Sequence, residues 1–335
     1  MAYALVSKTN DLTVMRVRPP PTAHYIIIHR SIMKIVSVDK VEIHPEHIKI
    51  LKQHGEVVVY DNVPSEDEGI KRIVDADIVI DNWFKMPATV ITACKNLKMI
   101  AVAATGYEWI DLQEAQKRKI LISNVPAYGT EAVAEQTISL MLQASRMSYQ
   151  AERDIRQGKW GPTEYKGKEL RGKTLGIIGY GSIGRRVGEI ATVGFGMKIL
   201  YINSSSSRAD LEKLLMESDF ISVNAPINKS TNKMIGAREF DLMKKGVVLV
   251  NTGRGATIDE NELYKNLKSH KIFAAGLDVL AHEPMQTGNS LFTLDNVVIS
   301  PHIGYNTEEA MYRLSSIVVE NIVGFLKGEP QNVVS

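Results

Sequence analysis

Thr174-Leu175-Gly176-Ile177-Ile178-Gly179-Tyr180-Gly181-Ser182-Ile183-Gly184 is the stretch on which the reading of this chain turns. Thr174 to Ile178 is an apolar, buried-type strand, and Arg185 to Ala191 continues as a helix, so the glycines sit at a strand-to-helix turn. G-x-G-x-x-G in that context is the fingerprint of a dinucleotide site; without the flanking strand and helix it would be only a glycine turn. Gly179 permits the tight turn, Gly181 lets backbone approach a pyrophosphate, and Gly184 lets the helix pack close to the strand. The N–H groups of Ser182 and Ile183, at the positive end of the helix, then face the phosphates.

The following strand ends Leu200-Tyr201-Ile202-Asn203-Ser204-Ser205-Ser206-Ser207-Arg208. An acid normally stands at the end of this strand and accepts hydrogen bonds from the adenosine ribose. Here that place is taken by Asn203, which cannot repel a 2′-phosphate, and Ser204 and Arg208 are placed to bind one. The expected cofactor is therefore NADP(H), with NAD(H) as the alternative. The competing reading is a solvated serine loop with Arg208 turned outward.

Outward from the glycine turn, short apolar strands alternate with amphipathic helices. Upstream strands are expected at Met33–Val38, Val57–Tyr60, Asp77–Ile80, Lys98–Ala103 and Leu121–Asn124, with helices at Pro45–Gln53, Glu66–Asp75, Ala88–Asn96 and Leu112–Arg118. A second series holds Thr174–Gly179, Lys198–Ile202, Phe220–Asn224, Val247–Asn251, Ala274–Val279 and Val297–Ser300. Such alternation predicts two parallel sheets, each covered on both faces. Thr130 to Gln157 reads as one long helical connector, and Glu308 to Lys327 as a helix that crosses back, making the first domain discontinuous. The expected domains are residues 33–129 with 307–335 and residues 130–306, and 335 residues are ample for two cores.

Residues 1–32 carry Arg16, Arg18, Arg30, the run Pro19-Pro20-Pro21 and a β-like Tyr25-Ile26-Ile27-Ile28. They share some features with a transit peptide but read as an extension before the clean strand at Met33. A formal net charge of +2 gives no reason to expect nucleic acid or an anionic membrane as partner. No apolar run approaches the ~20 residues of a membrane span. The one cysteine, Cys94, lies in a helical run and reads as a packing residue, which fits a cytoplasmic location; no His/Cys cluster has metal-ligand spacing.

Three chemistry-bearing residues stand at strand ends beyond the glycine turn: Arg254 in Asn251-Thr252-Gly253-Arg254-Gly255, Glu283 before Pro284, and His302 in Pro301-His302-Ile303-Gly304. Loops at the carboxyl ends of parallel strands gather on one edge, so residues distant in sequence can meet in one cleft. Arginine offers a planar fork to a carboxylate or carbonyl oxygen. Histidine can donate a proton as hydride reaches carbon, and a glutamate beside it favours its charged form. Each residue has an ordinary reading alone, as a surface pair, a turn cap and a loop histidine; placed together behind a nucleotide site, they point to reduction of a 2-oxo acid. His282 is the competing histidine, disfavoured because His302 directly follows a strand.

From Met33 onward the chain resembles the D-isomer-specific 2-hydroxyacid dehydrogenases, on Gly179–Gly184, Asn251–Gly255, Gly276-Leu277-Asp278-Val279 with Glu283-Pro284, and Pro301–Gly304. The resemblance implies a Rossmann-type cofactor domain and a flavodoxin-like substrate domain, both doubly wound. It implies Arg254 as the substrate-binding residue, Glu283 as partner of the histidine and His302 as the acid/base. Asp278 would lie near the nicotinamide carboxamide, with Ala225, Pro226, Thr231, Thr252, Gly253 and Gly304 along the cofactor. Ala103–Tyr107, Asn124–Tyr128 and His302–Thr307 look most like glycerate dehydrogenase and hydroxypyruvate/glyoxylate reductase, which implies backbone N–H groups of Thr105 and Gly106 at the substrate carboxylate, in a cleft between the domains. A homodimer is implied, with Thr130–Gln157 as an arm. Asn203 departs from the family's usual acid, and Glu283 argues against formate dehydrogenases, which pair the histidine with glutamine. A nucleotide-sensing corepressor without turnover is the alternative of another class; a relic structural protein would lack part of the trio.

Overall fold

The computed structural model describes residues 32–334 except Pro162 and Gln286, and, before them, the backbone of three strands. These are β1 (Tyr3–Val6), β2 (Leu12–Val17) and β3 (His24–His29), an antiparallel meander in the order β1-β2-β3. Beyond them the chain forms two compact units, one running to Tyr128 and resuming at Met311, the other spanning Gly129–Ala310.

The first unit alternates β4 (Met33–Ser37), α1 (Pro45–Leu51), β5 (Gly55–Val59), α2 (Glu66–Ile73), β6 (Ile78–Asp81), α3 (Ala88–Ala93), β7 (Met99–Val102), α4 (Leu112–Lys117) and β8 (Leu121–Ser123). Its strands pair in parallel in the order β5-β4-β6-β7-β8, the doubly wound order of a flavodoxin-like sheet. Side-chain caps start two helices: Ser65 accepts the Glu68 N–H and Asp111 the Glu114 N–H. Helix α3 ends at Ala93, short of the expected Asn96, because Cys94 leaves the helical region at φ −89°, ψ 87°. Cys94 itself is free and buried, and burial pushes its thiol up to about 11, which leaves it an unreactive packing group.

The second unit holds α5 (Thr130–Arg146), α6 (Ser148–Arg156), β9 (Thr174–Ile178), α7 (Ser182–Phe195), β10 (Lys198–Ile202), α8 (Arg208–Glu217), β11 (Phe220–Val223), α9 (Ala237–Leu242), β12 (Val247–Asn251), α10 (Glu260–Lys268), β13 (Ile272–Leu277) and β14 (Val297–Ile299). All six strands are parallel, in the order β10-β9-β11-β12-β13-β14. The order reverses beside β9, where the glycine turn leaves the sheet and a nucleotide crevice is expected. Every residue of β12 is buried; Leu249 packs in the core on one face, Val248 and Val250 in the core on the other. Consecutive apolar residues are what a strand covered on both faces requires.

Two expectations need correction. Thr130 to Gln157 is not one helix: it breaks at Met147, whose φ of 55° closes α5 with its N–H on the Ala144 carbonyl. Nor is α5 only a connector. Ala134, Ile138, Leu140 and Met141 pack in the same core as Leu175, Ile177 and Val250, so it is one of the helices that cover the second sheet.

The last helix, α11 (Glu308–Lys327), leads back into the first unit. There Asn124 donates its N–H to the Asn332 carbonyl, Val334 to Ile122, and Asn321 Nδ2 to Asn124 O, so the C-terminal segment closes the β8 edge.

Candidate active site

Each glycine of the β9–α7 turn is required for a different reason. Gly179 has φ +95°, and a Cβ there would lie 2.6 Å from the Ala225 nitrogen. A Cβ on Gly184 would lie 2.3 Å from the Gly179 carbonyl oxygen, so the start of α7 rests directly on the turn. Gly181 is the opposite case: a Cβ there would meet nothing within 4 Å. It opens α7 with no side-chain cap, so the first-turn N–H groups at Ser182 and Ile183 border open space. A shallow, uncapped helix start at the reversal of a parallel sheet fits a pyrophosphate.

The loop after β10 is folded by its own side chains. Asn203 Oδ1 accepts from the Ser205 N–H at 2.9 Å and the Ser205 hydroxyl at 2.7 Å, and its N–H donates to Ser206 Oγ at 3.1 Å. Ser207 caps α8 in a reciprocal box with Asp210. Arg208 is the first residue of α8, and its guanidinium is engaged by Glu239 and, at 3.2 Å, by Glu212. The expectation that Arg208 is held ready for a phosphate is corrected to that extent: the helix start turns it toward two carboxylates. Beside this loop Tyr180 stacks on Tyr201, with centroids 3.9 Å apart and planes 13° from parallel.

Several residues expected along the cofactor have side chains committed to the scaffold. Thr252 is buried, with its hydroxyl 2.7 Å from Thr137 Oγ1 on α5 and accepting from Asn224 Nδ2 at 3.2 Å. Thr231 donates to the Pro226 carbonyl at 2.7 Å and accepts from the Asn228 N–H, folding its own turn next to buried Ala225. Gly253 donates its N–H to Asn251 Oδ1 at 3.0 Å.

Asp278 organises the histidine loop. Its carboxylate accepts from Ser300 Oγ at 2.5 Å, the Ile303 N–H at 3.1 Å and the Gly304 N–H at 2.8 Å, while its carbonyl receives the His302 N–H at 2.8 Å. Held on both sides, His302 adopts φ 54°, a sparsely populated conformation for a non-glycine residue. Its Nδ1 lies 2.6 Å from Glu283 Oε2, and the other Glu283 oxygen accepts the Leu280 N–H at 2.9 Å. Burial pushes the Glu283 carboxyl up, but the His302 hydrogen bond and charge, the Leu280 N–H and the charge of Arg254 outweigh it and hold the group below its ordinary value. Glu283 is thus an anion at neutral pH, aligned on the imidazole. The Tyr305 ring meets the His302 ring edge-on, centroids 6.1 Å apart.

Arg254 follows β12. Its carbonyl accepts from Asn251 Nδ2 at 3.1 Å and Thr257 Oγ1 at 2.6 Å, which fixes the backbone from which the half-buried guanidinium projects. That charge acts on Glu283, so the structure brings Arg254, Glu283 and His302 into one constellation. His282 is exposed, and the ring paired with Glu283 is that of His302. In the first unit, Thr105 and Gly106 lie in the loop after β7; Thr105 Oγ1 donates to the Val125 carbonyl at 2.9 Å and the Thr105 carbonyl accepts from Asn124 Nδ2 at 2.8 Å. Among the described residues no His, Cys, Asp and Glu cluster could hold a metal, and no helix is long and apolar enough to cross a membrane.

Residues 138–304 match the family model for the NAD-binding domain of the D-isomer-specific 2-hydroxyacid dehydrogenases. A hydroxypyruvate reductase of Blautia hydrogenotrophica is 37% identical over 322 residues, covering 90% of this chain and 100% of the relative. The chain belongs to the D-isomer-specific 2-hydroxyacid dehydrogenase family. A glyoxylate reductase of Thermococcus litoralis is 39% identical, covering 87% of this chain and 94% of its own length. Among solved structures, an acyclic imino acid reductase in complex with NADPH and D-Arg superposes with a TM-score of 0.83 at 33% identity, covering 90% of this chain and 100% of that one.

As a 2-hydroxyacid dehydrogenase the chain takes a pyridine nucleotide, and the open space at Gly181 is compatible with a phosphate group there. Two further features of this dehydrogenase are visible only in the structure. Asp278, expected near the nicotinamide carboxamide, also ties down the His302 loop with its carboxylate; the signal in the chain is its position at the end of the strand next to β14. The other is the Tyr180–Tyr201 stack: in the β9–β10 register Tyr201 lies opposite Ile177, three residues before Tyr180.

Proposed function

We propose that this dehydrogenase reduces a small 2-oxo acid to its 2-hydroxy acid, foremost glyoxylate to glycolate or hydroxypyruvate to D-glycerate, and runs the reverse reaction on D-glycerate. The observation that carries the reading is the Glu283–His302 pair at 2.6 Å with the charge of Arg254 beside it. The bound nicotinamide supplies the hydride. The chain's own residues do the rest. Glu283, on Nδ1, orients the imidazole, so that Nε2 is the nitrogen that gives its proton to the carbonyl oxygen. Arg254 holds the substrate's carboxylate or carbonyl oxygen and favours the charge that develops on oxygen as C2 accepts hydride. In the first unit, the N–H groups of Thr105 and Gly106 are assigned to the carboxylate.

Asn203 in place of an acid supports a preference for NADPH over NADH. With Arg208 engaged by Glu212 and Glu239, that preference rests on the missing carboxylate more than on a new cationic contact. A homodimer working in the cytoplasm completes the reading; the single cysteine, buried as a free thiol, fits a reducing compartment. The test is a panel of glyoxylate, hydroxypyruvate, pyruvate and bulkier 2-oxo acids, each with NADH and NADPH. Preferential turnover of glyoxylate or hydroxypyruvate supports the assignment; tight nucleotide binding with no turnover of any acid transfers the protein to the sensing class.

A further inference from the structure

Two carboxyl side chains with no exposed surface lie outside the site described above: Asp39, just past β4, and Asp81, the last residue of β6. Their strands are neighbours, with Ser37 opposite Ile80. The Phe84 N–H points at both, 2.7 Å from Asp39 Oδ2 and 3.0 Å from Asp81 Oδ1, so the two carboxyls converge on one hydrogen. Asp39 also accepts the N–H groups of Asn82, at 3.2 Å, and Trp83. Asp81 Oδ2 accepts the indole N–H of Trp109 at 2.6 Å.

No cation compensates the pair. Among the described residues neither acid has an ion-pair partner. The buried cation of the neighbouring α2, Arg72, gives its guanidinium to the Val38 carbonyl at 2.9 Å, to Asn62 and to Glu68, and stacks on Tyr60. Lys40 and Lys85, the chain neighbours, are exposed. Two anions converging in a dry interior without a cation would be strongly disfavoured, and the cheapest relief is to keep one proton. Burial and then the Asp39 charge push Asp81 well above its ordinary value; burial raises Asp39 too, against the backbone N–H groups that favour its charged form.

We propose that Asp39 and Asp81 share one proton, Asp81 being the acid and Asp39 the carboxylate, and that this pair is a clamp positioning the loop from Ala103 to Trp109. Asp81 grips that loop at both ends: its carbonyl accepts the Ala103 N–H at 2.7 Å and its side chain holds Trp109. Thr105 and Gly106 lie between those two points, so Asp81 is a positioning residue for the carboxylate-binding backbone; that last step rests on the function proposed above. Because the folded state keeps a proton that the unfolded chain releases near pH ~4, the stabilisation is complete below that range and is lost as pH rises toward the raised value of Asp81.

Asp81→Asn supplies the same donor without titrating. In the full-length protein, the melting temperature of D81N is expected to gain on wild type as pH rises above ~4, until Asp81 itself deprotonates in the folded state, where the Trp109 indole N–H resonance moves in wild type but not in D81N. Asp81→Ala should displace that resonance and raise KM for the 2-oxo acid by ~10-fold, the worth of one lost buried hydrogen bond, with a much smaller change in kcat, and D81N should restore KM. If D81N does not fold, Asp39→Asn removes the neighbouring charge, and the pH dependence of the melting temperature is expected to weaken, with burial of Asp81 maintaining the remainder. Parallel melting curves for wild type and the amide variant would overturn the shared proton, and a native indole resonance in D81A would overturn the clamp. Both readouts are independent of turnover, so a chain that reduces no acid leaves this test intact.

Discussion

His302 Nδ1 and Glu283 Oε2 lie 2.6 Å apart, although nineteen residues separate them, because β13 and β14 are adjacent parallel strands and their following loops emerge on the same edge. Glu283 fixes one ring nitrogen, which commits the other to the substrate side. Replacing His302 with Ala should therefore lower kcat by at least ~10²-fold while nucleotide binding stays near wild type. Stopped-flow reduction of the best 2-oxo acid, beside nucleotide titration, measures both; a normal rate would return His282 to consideration.

Glu283→Gln removes the anion and keeps the shape. An amide can keep a hydrogen bond to the ring but loses the charge that strengthens it, so kcat for reduction is expected to fall ~10-fold, with the fold unchanged by circular dichroism. Glu283 is held below its ordinary value in wild type, so it is an anion throughout the neutral range in which the two are compared. A wild-type pre-steady-state rate of reduction in E283Q would falsify the coupling.

For Arg254→Lys, the charge survives and the planar fork does not. We expect kcat/KM for the 2-oxo acid to fall more than ~10-fold, equivalent to ~1.4 kcal/mol of lost transition-state binding, with nucleotide affinity little changed. Retention of wild-type kcat/KM would take Arg254 out of the site.

The glycines of the cradle separate stability from binding. Gly179→Ala puts a Cβ against the Ala225 backbone at φ +95° and should cost ~1–3 kcal/mol of stability. Gly181→Ala meets open space in the protein, so its melting temperature should match wild type while nucleotide affinity drops, since the methyl group occupies the place of the pyrophosphate. Equal nucleotide affinity in G181A and wild type would show that the phosphates lie elsewhere.

Asn203→Asp tests cofactor choice. The new carboxylate can accept the ribose hydroxyls and repels a 2′-phosphate, so the expected NADPH preference of ~10-fold in kcat/KM should reverse. Arg208→Ala should change the ratio less, because Glu239 and Glu212 already engage the guanidinium. Wild-type kinetics favouring NADH would mark the serine loop as a solvated turn.

Local pattern carried much of this protein. Strand ends from β4 to β14 fall within two residues of those read from apolar runs, since a strand covered on both faces must be apolar throughout and periodicity records it directly. Gly179, Gly181 and Gly184 were legible for a similar reason: a turn that needs positive φ, open space and close approach at fixed spacing admits only glycine. Arg254, Glu283 and His302 were legible because each lies in a loop that follows a strand of a parallel sheet, whose topology brings such loops to one edge. Tertiary structure alone decided the rest. The break at Met147 depends on one residue's φ, to which helix propensity is nearly blind. Arg208 faces Glu239 through the angle at which α8 leaves its cap, and Asp278 serves the histidine loop because β14 lies beside its strand. Asp39 and Asp81 are two ordinary acids in the chain; only sheet pairing points them at one hydrogen, and only burial makes sharing a proton preferable to two charges.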